Sequence, residues 1–316
     1  MQHNPGSTDR PLLHIGYHKT ATSWFQKNLY SRVRNASYLP RPLVRDAFLN
    51  TTAWRFDAAQ ARLDLHSELR PIVCEEDLCG YPENGGLLEA LSWDVARRLR
   101  ETFPDADIVI FIRSQLDMIR STYLQYVRSG GTRSLRRYLQ PYPPGSTHRR
   151  RWYKNPLLTL DHFAYQHLIR RYRELFGKDR VHIFCYEQFT ADPAVFVERF
   201  VRRFELDVDI NTLNFARRNE SLGWMTLKLS RWLGPFTRWE TINRLKILPV
   251  LPKWLPKAGL KALNKTPLSG PAISTQRLFG KSLERELAQR FAADNQVLLE
   301  EVGPALPLRE FGYPLP

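Results

Sequence analysis

The chain has 316 residues, of which 43% are hydrophobic and 12% aromatic, so it can bury a sizeable core and is not a disordered protein. Its 47 basic and 32 acidic residues leave a formal net charge of +15, which favours anionic partners such as nucleotides, charged glycans or an anionic membrane surface. It contains no apolar run of about 18 residues, the length of a membrane-spanning helix, and its polar residues 1–10 lack the core of a signal peptide. We therefore expect a cytoplasmic protein that is soluble or peripheral to a membrane.

The first predicted strand, Leu12–Ile15, runs through one glycine into a segment rich in hydrogen-bond donors and then into a predicted helix, Ala21–Ser31. Backbone amides at the start of a helix have no intrahelical partner, and the helix dipole favours negative charge there. The side-chain donors of this segment are Lys19, Thr20, Thr22 and Ser23. The segment therefore predicts a site for a phosphate-like anion.

This loop differs from the Walker A motif of ordinary ATP and GTP sites. That motif has a second glycine immediately before its lysine, and here His18 occupies that position. The loop predicts a phosphate cradle, but not the usual triphosphate site.

Three further apolar segments have the length of strands, Pro71–Cys74, Asp107–Ile112 and Arg180–Cys185, and helical patterns follow them. The alternation predicts a parallel sheet covered by helices. The second of the three segments is apolar without alternation over residues 108–112, as expected of a strand buried on both faces. The remaining predicted helices are Leu87–Thr102, Gln115–Arg128, Leu157–Leu175, Pro193–Phe204 and Lys281–Glu301.

Ligands of parallel sheets bind beyond the carboxyl ends of the strands. The residues that directly follow the four predicted strands are Gly16, Glu75, Arg113 and Tyr186, and we expect them to converge on one crevice. Arg113 can make a bidentate contact to a phosphate, and Ser121, eight residues later on the next helix, can supply a further donor.

The three cysteines, Cys74, Cys79 and Cys185, are an odd and sparse set without metal-like pairing to histidines. We expect them to be reduced, buried structural thiols, which suits the cytoplasm. No carboxylate or histidine and cysteine cluster has the spacing of metal ligands.

The composition shifts between Leu222 and Leu263, where four tryptophans stand among basic residues and prolines. The residues Leu222, Met225, Leu229, Trp232 and Leu233 fall on one face of a helix. Such a stripe is commonly part of a core, and the alternative is an interfacial surface that meets lipid or a lipid-linked acceptor. Nucleic-acid binding is not indicated, because no zinc-finger, RNP-like or helix-turn-helix signature accompanies the basic residues.

Two motifs together resemble the sulfotransferases that use 3′-phosphoadenosine 5′-phosphosulfate (PAPS): the loop with Lys19 after the first predicted strand, and Arg113 with Ser121 after the third. The loop resembles bacterial members most. Further likeness lies in Tyr186-Glu187, in residues 218–221, and in Asn295 with residues 311–314, so the resemblance spans nearly the whole chain. It implies an α/β fold with a central parallel sheet flanked by helices and a P-loop-like phosphosulfate-binding loop, as in nucleoside-triphosphate hydrolases.

The resemblance also implies the donor site. The first loop would grip the 5′-phosphosulfate through Lys19, Thr20, Ala21, Thr22, Ser23 and Trp24. Arg113 and Ser121 would hold the 3′-phosphate. Two features depart from the animal enzymes: Ala21 replaces the usual loop glycine, and an arginine-lysine-glycine segment is absent, for which Arg218 and Asn219, with Arg217, would substitute.

Sulfuryl transfer to a hydroxyl or an amine requires an in-line nucleophile and a neutralised leaving phosphate, and it requires no metal. We expect Lys19 to contact the bridging oxygen of the leaving group. A base assists the acceptor, and the resemblance suggests a glutamate after the second strand, Glu76 before Glu75, with His18 as the competitor.

Three domain segments are expected: a flexible N-terminus at 1–10, a sulfotransferase domain at 11–220, and a helical extension at 221–316 that packs on the core and serves as a lid or as a membrane or acceptor surface. The expected acceptor is a carbohydrate or a lipid-linked molecule. The alternative functions are an ATP-dependent small-molecule kinase and a non-catalytic basic protein that binds membranes or glycans.

Overall fold

A computed structural model of the chain describes residues 10–82, 89–140, 158–216, 222–239, 245–303 and 306–316. Within these residues, five strands form one parallel sheet with the order β2-β3-β1-β4-β5. The strands are β1 (Leu12–His14), β2 (Ala36–Tyr38), β3 (Arg70–Cys74), β4 (Asp107–Ile112) and β5 (Val181–Cys185). The predicted fold class, a central parallel sheet flanked by helices, is confirmed.

Helices cover both faces of this sheet. They are α1 (Thr22–Trp24), α2 (Arg41–Phe48), α3 (Ala58–Asp64), α4 (Ala90–Thr102), α5 (Gln115–Arg128), α6 (Leu135–Leu139), α7 (Tyr165–Phe176), α8 (Tyr186–Ala191), α9 (Pro193–Arg203), α10 (Trp224–Leu233), α11 (Trp254–Asn264) and α12 (Thr275–Val302). After α1 the chain continues directly as a π-helical turn, Phe25–Leu29, and a 3₁₀ turn, Tyr30–Arg32. The helix predicted at Ala21–Ser31 is therefore present, but with irregular winding.

Side chains that alternate along the strands pack into two separate apolar cores, one on each face of the sheet. Leu13 and Ile108 pack on the face that α4, α5, α7 and α12 cover. Leu12 and Val109 pack on the opposite face, with Phe25 and the helix α9. All six residues of β4 are buried, which confirms the prediction of a strand buried on both faces.

The strand β1 lies in the middle of the sheet, with β3 on one side and β4 on the other. The ladder continues past its end, because the Ile15 amide donates to the Val109 carbonyl at 3.0 Å and the Tyr17 amide donates to the Phe111 carbonyl at 3.2 Å. The loop after β1 therefore begins at the centre of the carboxyl edge of the sheet, where ligands of such sheets bind.

The helical predictions differ from the structure in two places. The helix predicted at Leu157–Leu175 is wrong in its first part, where a 3₁₀ turn at Leu160–Phe163 is followed by the non-helical Ala164 before α7 begins. The strand β2 and the helices α2, α3, α6, α8 and α11 were not predicted as separate elements, because they are short or lack a clear apolar period. The helix α10 lies within the stripe at residues 222–233 that the sequence indicated as helical.

The last long helix, α12, packs against α5 and α7. Its backbone is non-helical at Gly280, with φ 67°, so the regular part begins where the predicted helix Lys281–Glu301 begins. The helices α10 and α11 pack against each other, and α10 also contacts α5. The division into segments at 1–10, 11–220 and 221–316 stays a prediction.

No helix in the described part of the chain has the length and apolar character needed to cross a bilayer. The three cysteines are buried and not bonded to one another. Burial raises the pKa of the Cys185 thiol to about 12, so this thiol stays protonated at neutral pH.

Candidate active site

The loop after β1 has a backbone shaped for an anion. Lys19 and Ala21 have φ angles of 66° and 67°, in the left-handed region, with Thr20 between them. Backbone amides around such residues form a concave anion-binding nest. The left-handed conformation costs a non-glycine residue about 1–2 kcal/mol, so the loop is held in an unfavourable shape at Lys19 and Ala21.

The loop also approaches the neighbouring strand very closely. A Cβ atom placed on Gly16 would lie 2.9 Å from the backbone nitrogen of Phe111 and 3.2 Å from a ring nitrogen of His14. Only glycine avoids this clash. Gly16 therefore allows the chain to leave β1 tightly against β4, which brings the loop next to Arg113.

Two donors at this point are buried without a hydrogen-bond partner. They are the hydroxyl Oγ1 of Thr22, which is 4% exposed, and the Nε of Arg113. Buried polar groups are nearly always hydrogen-bonded in folded proteins. Unsatisfied donors beside an anion-binding loop fit a ligand that carries acceptor oxygens, such as a phosphate or a sulfate.

The other hydroxyls of the loop differ in their surroundings. The Thr20 hydroxyl donates to the Tyr17 carbonyl and so braces the loop from within. Ser23 is exposed. The sequence predicted equal roles for these hydroxyls. In the structure, the Thr20 hydroxyl supports the loop, the Ser23 hydroxyl faces outward, and the Thr22 hydroxyl has no partner.

Lys19 lies among other charged groups of the crevice. Partial desolvation lowers the pKa of its amine, the positive charges of Arg128 and Arg113 act in the same direction, and the carboxylate of Glu76 opposes them. The amine is therefore close enough to Glu76 and Arg113 to interact with both. Of the residues that follow the predicted strands, Arg113 contacts both this loop and Tyr186, whereas the Glu75 carboxylate is bound to Arg41 and Arg45.

Arg113 is held in place from several sides. Its Nη1 donates to the Lys19 carbonyl at 3.2 Å, and its guanidinium lies 4.8 Å from the ring centre of Tyr186. Its own carbonyl accepts a hydrogen bond from the Tyr165 hydroxyl at 2.6 Å. A guanidinium fixed in this way is ready to bind an anion with little further loss of entropy.

A further set of contacts supports the residue after Arg113. The Ser114 amide donates to Glu187 Oε1 at 3.0 Å, and the Tyr313 hydroxyl donates to Glu187 Oε2 at 3.0 Å. Burial raises the pKa of Glu187, and these donors offset part of that effect. The sequence resemblance included Glu187 and Tyr313 without assigning them a role. In the structure, both support the backbone at Ser114, next to Arg113.

The first of the two candidate glutamates, Glu75, is fully buried and tightly bound. Arg41 donates to its carboxylate twice at 2.8 Å, and Arg45 donates at 2.8 and 3.3 Å. Both arginines lie four residues apart on α2. Neither arginine was among the residues predicted from the sequence: their i, i+4 spacing indicates that both share one helix face, but it does not identify Glu75 as their partner.

The second, Glu76, is more accessible, with a side chain that is 19% exposed. Its contacts are long: 3.4 Å to the Arg41 Nη2 and 3.5 Å to the Gln26 Nε2. The two adjacent glutamates therefore have opposite environments, as the alternation of side chains at a strand end predicts. Glu75 anchors α2 to the end of the sheet, and Glu76 borders the crevice beside Lys19.

His18 forms a hydrogen-bonded pair with an acidic residue. Its Nε2 lies 2.8 Å from the Asp77 Oδ1. Because a carboxylate can only accept, Nε2 donates this hydrogen bond; Nδ1 is buried and has no hydrogen-bond partner. Burial acts to raise the pKa of Asp77, but His18, Arg45 and Arg41 together bring it below its ordinary value.

A narrow cleft runs beside this pair. Its lining residues are His18, Tyr81, Pro82, Thr122 and Gln125. The ring of Tyr81 stands edge-on to the His18 ring, with centroids 5.6 Å apart. The middle turns of the helix α5, which begins two residues after Arg113, thus line the cleft.

The remaining predicted residues are placed as follows. Trp24 packs on Phe215 and Phe189, and its indole nitrogen donates to the Asn214 carbonyl at 2.8 Å. Ser121 is partly exposed on α5. Arg218 and Asn219 lie outside the described residues. Trp24 therefore anchors the segment that leads to those two residues.

The described residues contain no group of three or more histidine, cysteine, aspartate or glutamate side chains that could hold a metal ion. The donors at the crevice are instead cations, hydroxyls and backbone amides. This donor set suits an anionic organic ligand.

A family model described as "Sulfotransferase family" matches residues 16–209, which is more than half of the chain. No curated protein matches the sequence. Among solved structures, the chain is similar to the crystal structure of a sulfotransferase from Alicyclobacillus acidocaldarius, with a TM-score of 0.55 and 18% identity. The match covers 96% of this chain and 98% of that one.

Proposed function

Because the chain belongs to the sulfotransferase family, we propose that it transfers a sulfuryl group from PAPS to a hydroxyl or an amine of a carbohydrate or lipid-linked acceptor. The observation that carries the proposal is the pair of unsatisfied buried donors, Thr22 Oγ1 and Arg113 Nε, beside a left-handed loop. These donors support an anionic nucleotide as the ligand.

The residues fit the donor in two groups. Backbone amides of residues 19–24, with the side chains of Lys19 and Thr22, would hold the 5′-phosphosulfate. Arg113 and Ser121 would hold the 3′-phosphate. When bound, PAPS supplies the sulfuryl group and a stable bisphosphate leaving group.

Lys19 is the proposed stabiliser of the leaving phosphate. Its amine lies among the charged groups of the crevice, where it can stabilise the charge that develops on the bridging oxygen. Fixed donors aimed at developing charge contribute a large part of the rate enhancement of such transfers. The lowered pKa of its amine makes Lys19 a better proton donor than an ordinary surface lysine.

Glu76 is the proposed base that takes the acceptor proton. It borders the crevice, is partly exposed, and interacts with Lys19 electrostatically. His18 is the second candidate, and the observation that favours it is its bond to Asp77, which leaves Nδ1 as the basic nitrogen. Glu75 is not suited to this role, because two arginines surround its buried carboxylate.

The proposal is tested by ligand-induced stabilisation of the whole protein. Adenosine 3′,5′-bisphosphate is expected to raise the melting temperature in the presence of EDTA, by an amount that grows with ligand concentration. Arg113→Gln is expected to reduce this effect, and Arg199→Gln serves as the matched arginine control, since Arg199 is exposed and on α9.

Two outcomes would overturn the proposal. If magnesium ATP stabilised the protein more than the bisphosphate, the kinase alternative would replace it. If neither nucleotide had any effect and Lys19→Ala left the protein's binding to membranes or glycans unchanged, a non-catalytic binding protein would be the better description.

A further inference from the structure

The helix α10 presents its apolar side chains outward. Met225, Leu229 and Trp232 share one face and are exposed, and Trp232 is 66% exposed. The side that packs on the protein is largely polar, with Thr226 and Ser230 buried beside Leu227. This is the reverse of the usual arrangement, in which the apolar stripe of a helix faces the core. Of the stripe that the sequence indicated, Met225, Leu229 and Trp232 therefore form an exterior surface, whereas Leu233 is partly buried and Leu222 is buried in the core.

The exposed apolar surface continues beyond α10. Ten of the sixteen large apolar side chains that are exposed in the described part of the chain lie between residues 225 and 268. They are Met225, Leu229, Trp232, Leu245, Ile247, Leu248, Val250, Trp254, Leu255 and Leu268. We call this set the tryptophan face. Its loop is tied to the end of α10, because the Ile247 amide donates to the Pro235 carbonyl at 3.0 Å.

Exposed cations stand among these apolar side chains. They are Lys228, Arg238, Lys246, Lys257, Lys261 and Lys265. From residue 222 to residue 265 the sequence contains nine lysines and arginines and a single acidic residue, Glu240. A partner of this surface must therefore be apolar in part and anionic.

We propose that the tryptophan face docks on an anionic lipid bilayer. Tryptophan and leucine side chains enter the boundary between headgroups and acyl chains, while lysines extend their amines to the phosphates. The same surface on a second copy of the chain is a poor partner, because it would place like charges opposite each other. Apolar patches of this kind are rarely left uncovered on a soluble monomer.

The tryptophan face adjoins the cleft of the candidate active site through α5. The Ser230 hydroxyl donates to the Val127 carbonyl and the Arg231 Nε donates to the Thr132 carbonyl, both at 3.2 Å. The same helix lines the cleft with Thr122 and Gln125. Docking would thus hold the cleft near the bilayer. If the chain has the proposed function, a cleft held there acts on a lipid-linked acceptor, and this consequence rests on that function.

The test is co-sedimentation of the full chain with vesicles at low salt. Vesicles of phosphatidylcholine and phosphatidylglycerol should bind the protein, vesicles of phosphatidylcholine alone should bind it much more weakly, and added salt should release it. Each basic residue close to an anionic surface contributes about fivefold to binding. The double variant Lys257→Glu and Lys261→Glu is therefore expected to bind at least about tenfold more weakly.

A second double variant, Trp232→Ser and Trp254→Ser, removes the largest apolar groups of the face and should also lower vesicle binding at least about tenfold. The matched control is Trp54→Ser, since Trp54 is 97% exposed and lies outside the face. All these side chains are exposed, so the melting temperatures should stay close to that of the original chain.

The proposal fails if vesicle binding is the same for neutral and anionic lipids, or if neither double variant binds less than Trp54→Ser. It also fails if light scattering shows a dimer that the tryptophan variant dissociates, since the face would then be an interface between copies. Stabilisation by adenosine 3′,5′-bisphosphate should be unchanged in all variants, so docking and donor binding can fail separately.

Discussion

At the scale of single residues, neighbouring side chains of the same type have different tasks. Glu75 and Glu76 follow one strand, yet the first is enclosed by two arginines and the second borders the crevice. Two guanidinium groups already occupy the buried Glu75 carboxylate, so an acceptor hydroxyl cannot reach it, whereas the partly exposed Glu76 carboxylate is open to one. The environment, and not the residue type, separates a structural glutamate from a candidate base.

Substitution of Glu76 and of Glu75 is expected to show which of the two acts as the base and which supports the fold. Glu76→Gln should lower kcat at least about 10²-fold, because no carboxylate then takes the proton from the hydroxyl or amine that receives the sulfuryl group. The melting temperature should stay nearly unchanged. Glu75→Gln should instead lower stability, because the Arg41 and Arg45 guanidinium groups lose their counter-charge. Turnover assays and thermal unfolding of both variants make the comparison, with the exposed Glu174→Gln as control.

The opposite result would move the base to the histidine. If Glu76→Gln keeps turnover near that of the original chain and His18→Gln loses about 10²-fold, His18 is the base. In that case Asp77→Asn should also shift the pH dependence of kcat, because Asp77 fixes the protonated nitrogen of His18.

A second residue, His14, makes stability depend on pH. It is fully buried, its ring stacks on Phe111, and its Nδ1 lies 2.9 Å from the Tyr30 hydroxyl. Burial lowers its pKa from 6.5 to about 3. Between these values the unfolded state binds a proton that the folded state does not, so stability is lost as the pH falls below about 6.5.

Urea unfolding at pH 7 and pH 5 measures this effect. The His14 contribution to the free energy of unfolding should fall by about 2 kcal/mol between these pH values. His14→Gln should remove that part of the pH dependence, whereas His66→Gln should not, since His66 is exposed. An unchanged pH dependence in His14→Gln would mean that other groups cause it.

At the scale of whole elements, a buried amide pair joins the helices α5 and α12. Gln115 at the start of α5 and Asn295 on α12 exchange hydrogen bonds of 2.6 and 3.1 Å, and Asn295 also donates to the Pro314 carbonyl at 2.8 Å. Because α5 begins directly after Arg113, this pair sets where that arginine stands relative to the loop after β1.

Removal of this amide should therefore affect both stability and donor binding. Asn295→Ala removes both hydrogen bonds between the two amides and leaves Gln115 only its 3.4 Å contact with the Phe163 carbonyl, so we expect the free energy of unfolding to fall by about 1–3 kcal/mol. Affinity for adenosine 3′,5′-bisphosphate, measured by calorimetry, should fall with it. The matched control is Gln296→Ala, whose amide bonds to Glu300 on the surface of the same helix.

A variant that lost stability but kept full affinity for the nucleotide would contradict the link between α12 and Arg113. The pair would then only hold the fold together. Gln296→Ala should change stability by no more than about 0.5 kcal/mol.

At the scale of the whole molecule, the sequence predicted what depends on local pattern. Apolar runs located four of the strands, and the glycine and lysine after β1 indicated the anion loop. The Arg41 and Arg45 contacts to Glu75 and the contact of Tyr313 with Glu187 were not predictable, because they join residues that are far apart in the chain. The outward apolar face of α10 was also undecided, since periodicity shows that a helix has two faces but not which one is covered.

The contact between Tyr313 and Glu187 has a consequence for the order of synthesis. The loop after β1 leaves the ribosome among the first residues, but the support of Ser114 by Glu187 is complete only when residue 313 has emerged. Domains form from contacts that are available during translation, and contacts of long sequence separation form late. A chain that has not yet reached this tyrosine would therefore lack the hydrogen bond from the Tyr313 hydroxyl to the Glu187 carboxylate, so the support of Ser114 beside Arg113 is completed late in synthesis.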